Sequence, residues 1–271
     1  MPLFSLPMYD WPEVREATDA WAAGIAAHLR RHGFPEAPHS LTRQTDYQEV
    51  WNAPDLLLSQ SCGYPVSHQY SGKLLPLVTP HYEVDGCQGP AFSSFLFVRA
   101  SDEVRALTDL RGRIVAFNDR FSMSGMLALK LVFAPHAENG HFFGRAIETG
   151  SHAESLEAVQ RADADVCSID AVCVALARRH RPELLDGLTE LARSPLVPGL
   201  PYVTSARNGG HELSRLRDAV ADAFADPRLS VAREALFLCG YSILETIDYA
   251  LIATLERDLR KRGDLHLWEA A

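Results

Sequence analysis

Residues 113–133 read RIVAFNDRFSMSGMLALKLVF and contain the pattern on which the interpretation of this chain depends. The apolar run 113–117 is typical of a buried β-strand, and the apolar, glycine-poor run 126–133 is typical of a helix. A polar turn with two serines and a glycine lies between them. A strand, a turn and a helix in this order place free backbone N–H groups and the positive end of the helix dipole at one point.

This turn is a candidate oxyanion site for phosphate, phosphonate or carboxylate. Ser122 and Ser124 offer hydroxyl donors without adding charge, and Gly125 lets a ligand approach the backbone closely. The alternative is that Ser122 or Ser124 only caps the N-terminus of the helix. The local pattern by itself favours the cap, and the rest of the chain favours the site.

The composition is that of a globular protein with a substantial core. The chain has 271 residues, of which 47% are hydrophobic and 23% are charged, enough for one large or two modest domains. A net charge of −9 disfavours nonspecific nucleic-acid binding. The five cysteines are scattered and form no CxxC pair, so we expect reduced thiols. No spacing typical of a metal site is present, and we expect neither metal nor cofactor.

The N-terminal segment does not have the form of a signal peptide. Residues 1–20 carry acidic side chains and lack a basic start that leads into an apolar run. No window of eighteen apolar residues predicts a membrane span. We therefore predict a cytoplasmic location if Met1 is the natural start, and a periplasmic one if the true precursor begins upstream.

Four further residues come after predicted strands or begin predicted helices. Tyr9 ends the predicted strand 4–9, and Tyr64 follows the predicted strand 55–60. Ligands lie at such strand ends in open α/β sheets, although either ring could equally belong to the edge of the core. His152 begins a helix after Gly-Ser. Asp170 ends a strand and could bind a ligand or cap the following helix. From His211 onward the periodicity predicts helices only.

With these segments in order, the chain resembles the phosphate/phosphonate-binding family of type 2 periplasmic binding proteins. The similarity covers nearly the whole chain. It rests on five ordered motifs, LTDLRGRIVAFND (107–119), SMSG (122–125), GSHAESLEAV (150–159), ADADVCSID (162–170) and PGLPYV (198–203). None of the five is decisive alone, and their common order and spacing carry the resemblance.

The resemblance implies an α/β fold of two lobes joined by two hinge strands, with a helical C-terminal segment and a ligand cleft between the lobes. Lobe one would comprise residues 1–98 plus 206–271, and lobe two, with the anion-binding turn, residues 99–205. The implied hinge strands are 95–99 and 200–204.

The resemblance also implies the ligand contacts and the role of each. Ser122, Met123, Ser124 and Gly125 would form the turn that clamps the oxyanion, His152 would donate to the same anion, Asp170 would accept from a protonated ligand group, and Tyr9 and Tyr64 would cover the opposite face. Met123 stands where the family pattern has Thr, which removes one hydroxyl from the turn.

The leading interpretation is a noncatalytic solute-binding protein for a small oxyanion-bearing ligand, with an ABC transporter permease as the partner that the family implies. One alternative is a cytoplasmic enzyme on the same fold, of the thiamine-pyrimidine or menaquinone-route type, with His152, Cys62 and Asp170 as reactive candidates. Another is a cytoplasmic ligand sensor that contacts a partner through its C-terminal helices. We expect no nucleic-acid partner.

Overall fold

The computed structural model describes residues 2–43 and 46–267. The strands are β1 Leu3–Phe4, β2 Leu56–Gln60, β3 Leu74–Tyr82, β4 Cys87–Gln88, β5 Ala91–Phe92, β6 Ser94–Arg99, β7 Ile114–Phe117, β8 Arg145–Glu148, β9 Val166–Asp170, β10 Leu188–Arg193, β11 Val197–Pro198, β12 Tyr202–Ser205 and β13 Leu238–Ser242. The longer helices are α1 Arg15–Arg31, α2 Tyr47–Asn52, α3 Gly63–Ser67, α4 Ala128–Phe133, α5 His152–Gln160, α6 Ala171–His180, α7 His211–Ala225, α8 Ser230–Ala235 and α9 Thr246–Gly263. The predicted strand and helix around the serine turn are confirmed, as β7 and α4.

The chain forms two compact units. Unit 1 comprises residues 1–83, 88–91 and 198–250, and unit 2 comprises residues 84–87, 92–197 and 251–271. The lobe boundaries that the resemblance implies, 1–98 plus 206–271 and 99–205, stay a prediction, as do the hinge strands.

Unit 1 is built on a five-stranded sheet in the order β1-β2-β12-β3-β13. β1 and β2 are parallel, whereas β12 is antiparallel to both of its neighbours. The apolar stripe of α1 packs on this sheet because Trp21, Ile25 and Leu29 recur at helical spacing and are all fully buried. The Trp21 indole donates to the Tyr202 hydroxyl at 2.9 Å, which satisfies the polar ends of both rings inside the core.

Unit 2 is built on a second five-stranded sheet, in the order β10-β6-β9-β7-β8. Its central strands are buried on both faces, and β7, β8 and β9 run parallel to one another. The third sheet is small, in the order β11-β5-β4. All five cysteines are free thiols, as the sequence predicted.

The C-terminal third is not wholly helical. The prediction of helices alone from His211 onward is wrong at β13, which pairs antiparallel with β3 along its length. Helix α8 stops because Phe237 adopts a left-handed backbone conformation, with φ 58°. The next residues gain a ladder of backbone hydrogen bonds at the edge of the unit 1 sheet, which a continued helix would forgo.

Candidate functional site

The candidate anion site lies where three parallel strands of unit 2 end. Because β8, β7 and β9 are adjacent and parallel, their carboxyl ends meet at the same edge of the sheet. β7 leads into the serine turn, β8 leads into Ser151 and His152, and β9 ends at Asp170. The pairing of strands therefore brings together, at one edge, three motifs that lie far apart in the sequence.

The serine turn is closed by its own hydroxyl. The Ser122 Oγ accepts a hydrogen bond from the Gly125 backbone N–H at 3.0 Å, so Ser122 is the N-cap of the following turn. Residues 123–127 form one turn of π-helix, in which the Leu127 N–H donates to the Ser122 carbonyl at 3.0 Å, before α4 begins. Single π-helical turns are frequent at functional sites. Ser122, Met123 and Ser124 are all at least nine-tenths buried here.

His152 contacts this turn directly. Its Nε2 lies 2.9 Å from the Ser124 Oγ, and the Ser124 Oγ lies 3.3 Å from the Ser122 Oγ. The three side chains thus form one hydrogen-bonded row. The ring stands at the first position of α5, whose own N-cap is Ser151, and Gly150 before it takes a φ of 94° that favours glycine.

Ser168 fixes the backbone of the serine turn. This fully buried residue of β9 donates its hydroxyl to the Ser124 carbonyl at 2.6 Å. The bond joins residues 44 positions apart and holds the serine turn against the central strand of the sheet. Ser168 lies within the motif 162–170, but the sequence analysis assigned it no role, since a serine inside a buried strand is also compatible with simple packing.

The side chains of the row, Ser122, Ser124 and His152, are uncharged hydrogen-bonding groups at neutral pH. Burial lowers the pKa of His152 from 6.5 to about 4, and the nearby Ser168 backbone opposes this shift to a smaller extent. The helix N-terminus also disfavours a positive charge at this position. We therefore assign a neutral imidazole at pH 7. Neutral hydroxyl, amide and imidazole groups can then stabilise an oxyanion by hydrogen bonds alone.

The His152 pKa predicts how stability depends on pH. In the unfolded chain the imidazole takes up a proton near pH 6.5, whereas in the folded chain it does so only near pH 4, so the unfolded state binds more protons between these values. Wild-type stability should accordingly fall as the pH drops from 6.5 to 4, by roughly 2 kcal/mol relative to His152→Gln once the partial exposure of the side chain is allowed for. Above pH 7 the difference should stay constant. Urea unfolding of both proteins at pH 7, 5.5 and 4 measures it, and parallel pH curves would contradict the assignment.

Position 125 favours glycine because Asn118 lies close to it, and not because of its backbone angles. A Cβ at this position would lie 1.9 Å from the Asn118 Oδ1 and 3.3 Å from the Asn118 backbone nitrogen. Asn118 is the first residue after β7, and its Oδ1 is buried without a hydrogen-bond partner. Asn118, within the motif 107–119, is a second neighbour of the turn to which the sequence analysis assigned no role. Its only sequence signal is its place at the end of a strand.

Asp170 acts as a helix cap in this structure. Its carboxylate accepts from the backbone N–H of Val172 at 2.7 Å and of Cys173 at 3.4 Å, and its side chain is almost fully buried. The alternative that the sequence left open, a cap for the next helix, is therefore confirmed. A ligand contact through its other oxygen stays a prediction.

Tyr9 and Tyr64 belong to unit 1, and both are largely buried. The Tyr9 ring packs edge-on against Tyr82, with ring centroids 5.2 Å apart, and the Tyr82 hydroxyl accepts from the Gln60 side-chain amide at 3.0 Å. The Tyr64 ring lies in the first turn of α3 and stacks on the His68 ring with centroids 3.9 Å apart. Their predicted contact with ligand stays a prediction.

Metal sites and membrane spans are both absent from the described part of the chain. In residues 2–43 and 46–267 no three His, Cys, Asp or Glu side chains are grouped so that they could hold a metal ion. Within the same ranges, no helix combines the length and the apolar character that crossing a bilayer requires.

The sequence matches one protein family over most of its length. The model of that family, described as "ABC transporter, phosphonate, periplasmic substrate-binding protein", matches residues 6–243. The chain belongs to this family. Membership in the phosphonate-binding family confirms the resemblance drawn from the five motifs. It makes the chain a solute-binding protein of ABC transport, which implies a small ligand and a transporter as partner.

Solved structures confirm the two-lobed α/β fold. PhnD1 from Prochlorococcus marinus in complex with methylphosphonate has a TM-score of 0.75 at 15% identity, covering 96% of this chain and 98% of that chain. A binding protein component of an ABC phosphonate transporter from Pseudomonas aeruginosa has a TM-score of 0.74 at 16% identity, with 96% and 87% covered. XAC2383 from Xanthomonas citri bound to ATP has a TM-score of 0.71 at 17% identity, with 97% and 98% covered. No curated protein matches the sequence.

The family also bears on location. It is a family of periplasmic substrate-binding proteins, which supports the periplasmic alternative and gives no support to the cytoplasmic prediction.

Proposed function

We propose that this solute-binding protein captures a small molecule bearing a phosphonate or phosphate group, and that the serine turn of unit 2 holds the oxyanion. The observation that carries the proposal is the row formed by Ser122, Ser124 and His152 at the edge where three parallel strands end. Gly125 completes the turn by giving its N–H to the row. The interlobe cleft expected from the resemblance is part of the proposal and stays a prediction.

Neutral donors suit this task. Removing an anion from water is costly unless hydrogen bonds replace its hydration, and hydrogen bonds to a charged oxygen are about twice as strong as those between neutral groups. A row of hydroxyls also avoids a fixed cation that would attract any anion. The chain carries a net charge of −9, so local donors rather than the overall field must attract the ligand.

The composition of the turn sets how many hydroxyl donors it can offer to an oxyanion. The buried Met123 supplies no hydroxyl where the family pattern has Thr, so the turn provides two hydroxyl donors, from Ser122 and Ser124. We therefore propose a tetrahedral oxyanion of which one or two oxygens are bound by this turn. Tyr9 and Tyr64 are proposed as aromatic contacts for the remainder of the ligand.

Calorimetric titration of the purified full chain tests the proposal. The panel is methylphosphonate, inorganic phosphate, ATP and succinate, the last as a carboxylate without phosphorus. We expect methylphosphonate or phosphate to bind with a dissociation constant of about 10 μM or tighter, which corresponds to about 7 kcal/mol. Absence of heat and of a thermal shift with all phosphorus compounds would refute it, and so would chemical turnover of the bound compound, because an enzyme would then be present.

A matched pair of serine variants assigns the site. Ser122→Ala removes one hydrogen bond to a charged ligand, worth about 1.5 kcal/mol or more, and should weaken binding at least about tenfold. Ser101→Ala is the control, because Ser101 is an exposed residue of the same unit whose hydroxyl contacts Asp102. Equal affinities of the two variants would show that the ligand binds elsewhere.

A further inference from the structure

Asn118 lies between two segments of the candidate anion site. It is the first residue after β7, and its backbone carbonyl accepts a hydrogen bond at 2.8 Å from the N–H of Gly150, two residues before His152. Its side chain reaches the serine turn, where the Oδ1 lies 1.9 Å from the position that a Cβ of Gly125 would take. One residue therefore contacts both the segment that carries the histidine and the turn that carries the serines.

The position of the Asn118 Oδ1 follows from the direction of a Cα–Cβ bond at Gly125. In a helix every Cα–Cβ bond is tilted toward the N-terminus. Gly125 lies in the first helical turn after the N-cap Ser122, so the space that its Cβ would fill lies toward the N-terminal end of that turn. The Asn118 Oδ1 occupies this space. It therefore lies at the end of the turn that carries the Ser122 hydroxyl, where the oxyanion is proposed to bind.

The Asn118 Oδ1 is a buried acceptor that has no hydrogen-bond partner among the described residues. Buried polar atoms are paired in the great majority of cases, and an unpaired one calls for an explanation, such as a bound ion or ligand. Hydroxyl, imidazole and amide N–H groups can donate to an oxyanion, whereas an amide oxygen can only accept. This atom therefore requires a ligand group that donates a proton.

We propose that Asn118 is a ligand-binding residue whose Oδ1 accepts a hydrogen bond from a P–O–H group, so that the site selects a tetrahedral oxyanion that retains one proton. This inference rests on the proposed function of the serine turn. Hydrogen phosphate and singly ionised phosphonates fit, because they carry unprotonated oxygens for the turn and one protonated oxygen for Asn118. Sulfate has the same shape but no proton at neutral pH, so it would leave the acceptor facing a negatively charged oxygen.

Calorimetric titration of Asn118→Ala with inorganic phosphate and with sulfate tests the contact. The wild-type chain should bind phosphate at least about 100-fold more tightly than sulfate, since a site built to bond a protonated group rejects the analogue that lacks it. In Asn118→Ala the dissociation constant for phosphate should rise about tenfold, while that for sulfate stays the same or falls. An equal loss for both anions would overturn the proposal, because the amide would then act as a donor or only shape the turn.

Two further variants separate the contact from a folding defect. Asn52→Ala is the matched control, because Asn52 is an exposed residue of unit 1 whose amide donates to the Gln48 carbonyl and the Tyr70 hydroxyl. It should leave both dissociation constants unchanged. Asn118→Asp keeps an oxygen acceptor in place and should retain the preference for phosphate over sulfate, although the added negative charge weakens both. Loss of that preference in a folded Asn118→Asp would count against the acceptor role.

A pH series with methylphosphonate and phosphate tests the role of the ligand proton. Raising the pH from about 6 to about 9 removes the last acidic proton of methylphosphonate but leaves one on inorganic phosphate. The wild type should then lose at least about tenfold more affinity for methylphosphonate than for phosphate, and Asn118→Ala should lose affinity for both equally. Equal losses for the two ligands in the wild type would contradict the proposal.

The outcomes distinguish this inference from the proposed function. A wild-type chain that binds neither phosphate nor methylphosphonate refutes the proposed function, and this inference with it. Binding of both ligands, together with an Asn118→Ala variant that keeps the wild-type preference over sulfate, refutes the inference alone.

Discussion

Gly125→Ala should weaken methylphosphonate binding about 100-fold, which corresponds to about 3 kcal/mol. The added methyl group would lie 1.9 Å from the Asn118 Oδ1, a distance that no van der Waals contact allows, and 3.3 Å from the Asn118 backbone nitrogen. The Asn118 side chain must rotate away from the first contact, and the contact with the Asn118 backbone nitrogen forces the turn to shift as well. This shift would strain the bond from the Gly125 N–H to the Ser122 Oγ and move the two serine hydroxyls relative to the ligand. Calorimetric titration measures the effect.

Two controls separate this steric effect from a general cost of replacing glycine. Gly209→Ala should leave binding unchanged, since Gly209 has a φ of −76° and a Cβ there would meet only the Ala206 carbonyl oxygen, at 3.5 Å. The double variant Asn118→Ala/Gly125→Ala removes the clashing amide and should recover part of the lost affinity. Wild-type affinity in Gly125→Ala would show that the turn does not hold the ligand.

Asp264→Ala should destabilise unit 2 by about 2 kcal/mol. The Lys130 ammonium lies 3.2 and 3.3 Å from the two carboxylate oxygens of Asp264, and the two side chains are only 8% and 19% exposed. Lys130 belongs to α4, the helix that follows the serine turn, and Asp264 comes directly after α9. Removing the carboxylate takes two hydrogen bonds between charged groups away from the Lys130 ammonium, and such bonds contribute more to stability than those between neutral groups.

Urea unfolding measures this effect, and a second acidic residue, in α9, provides its control. Asp258 pairs with Lys261 at 3.5 Å, with both side chains well exposed, so Asp258→Ala should change the free energy of unfolding by no more than about 0.5 kcal/mol. The double variant Lys130→Met/Asp264→Ala should recover part of the loss, because it removes both charges of the pair. Equal stability of Asp264→Ala and Asp258→Ala would contradict the role assigned to the buried pair.

The site itself is only partly visible in the sequence. The family resemblance places Ser122, Ser124 and His152 in one candidate site, and the structure brings all three into hydrogen-bonding contact. The sequence does not decide whether Asp170 binds a ligand or caps the following helix. The hydrogen bonds from the Val172 and Cys173 N–H groups to its carboxylate show that it caps the helix. Ser168 and Asn118 escape sequence reasoning, because a serine within a strand or an asparagine after one has many common uses.

The fold, like the site, is only partly predictable from the sequence. The strand before the serine turn and the helix after it follow from apolar patterning, which is a local property of neighbouring residues. The sequence of β13 predicts a helix because an apolar stripe of a few residues fits either structure. What decides it is the unpaired edge of β3 in unit 1, which lies more than 150 positions away in the chain.

The sequence by itself determined the buried strand, the hydroxyl turn, the capped start of α5 and membership in a family of solute-binding proteins. These features depend on residues close together in the chain and on the order of motifs. Only the tertiary structure decided that β8, β7 and β9 lie side by side, which puts the His152 Nε2 2.9 Å from the Ser124 Oγ. The reason is that strand pairing is settled by burial and hydrogen bonding between distant segments, and a single sequence does not record which segments meet.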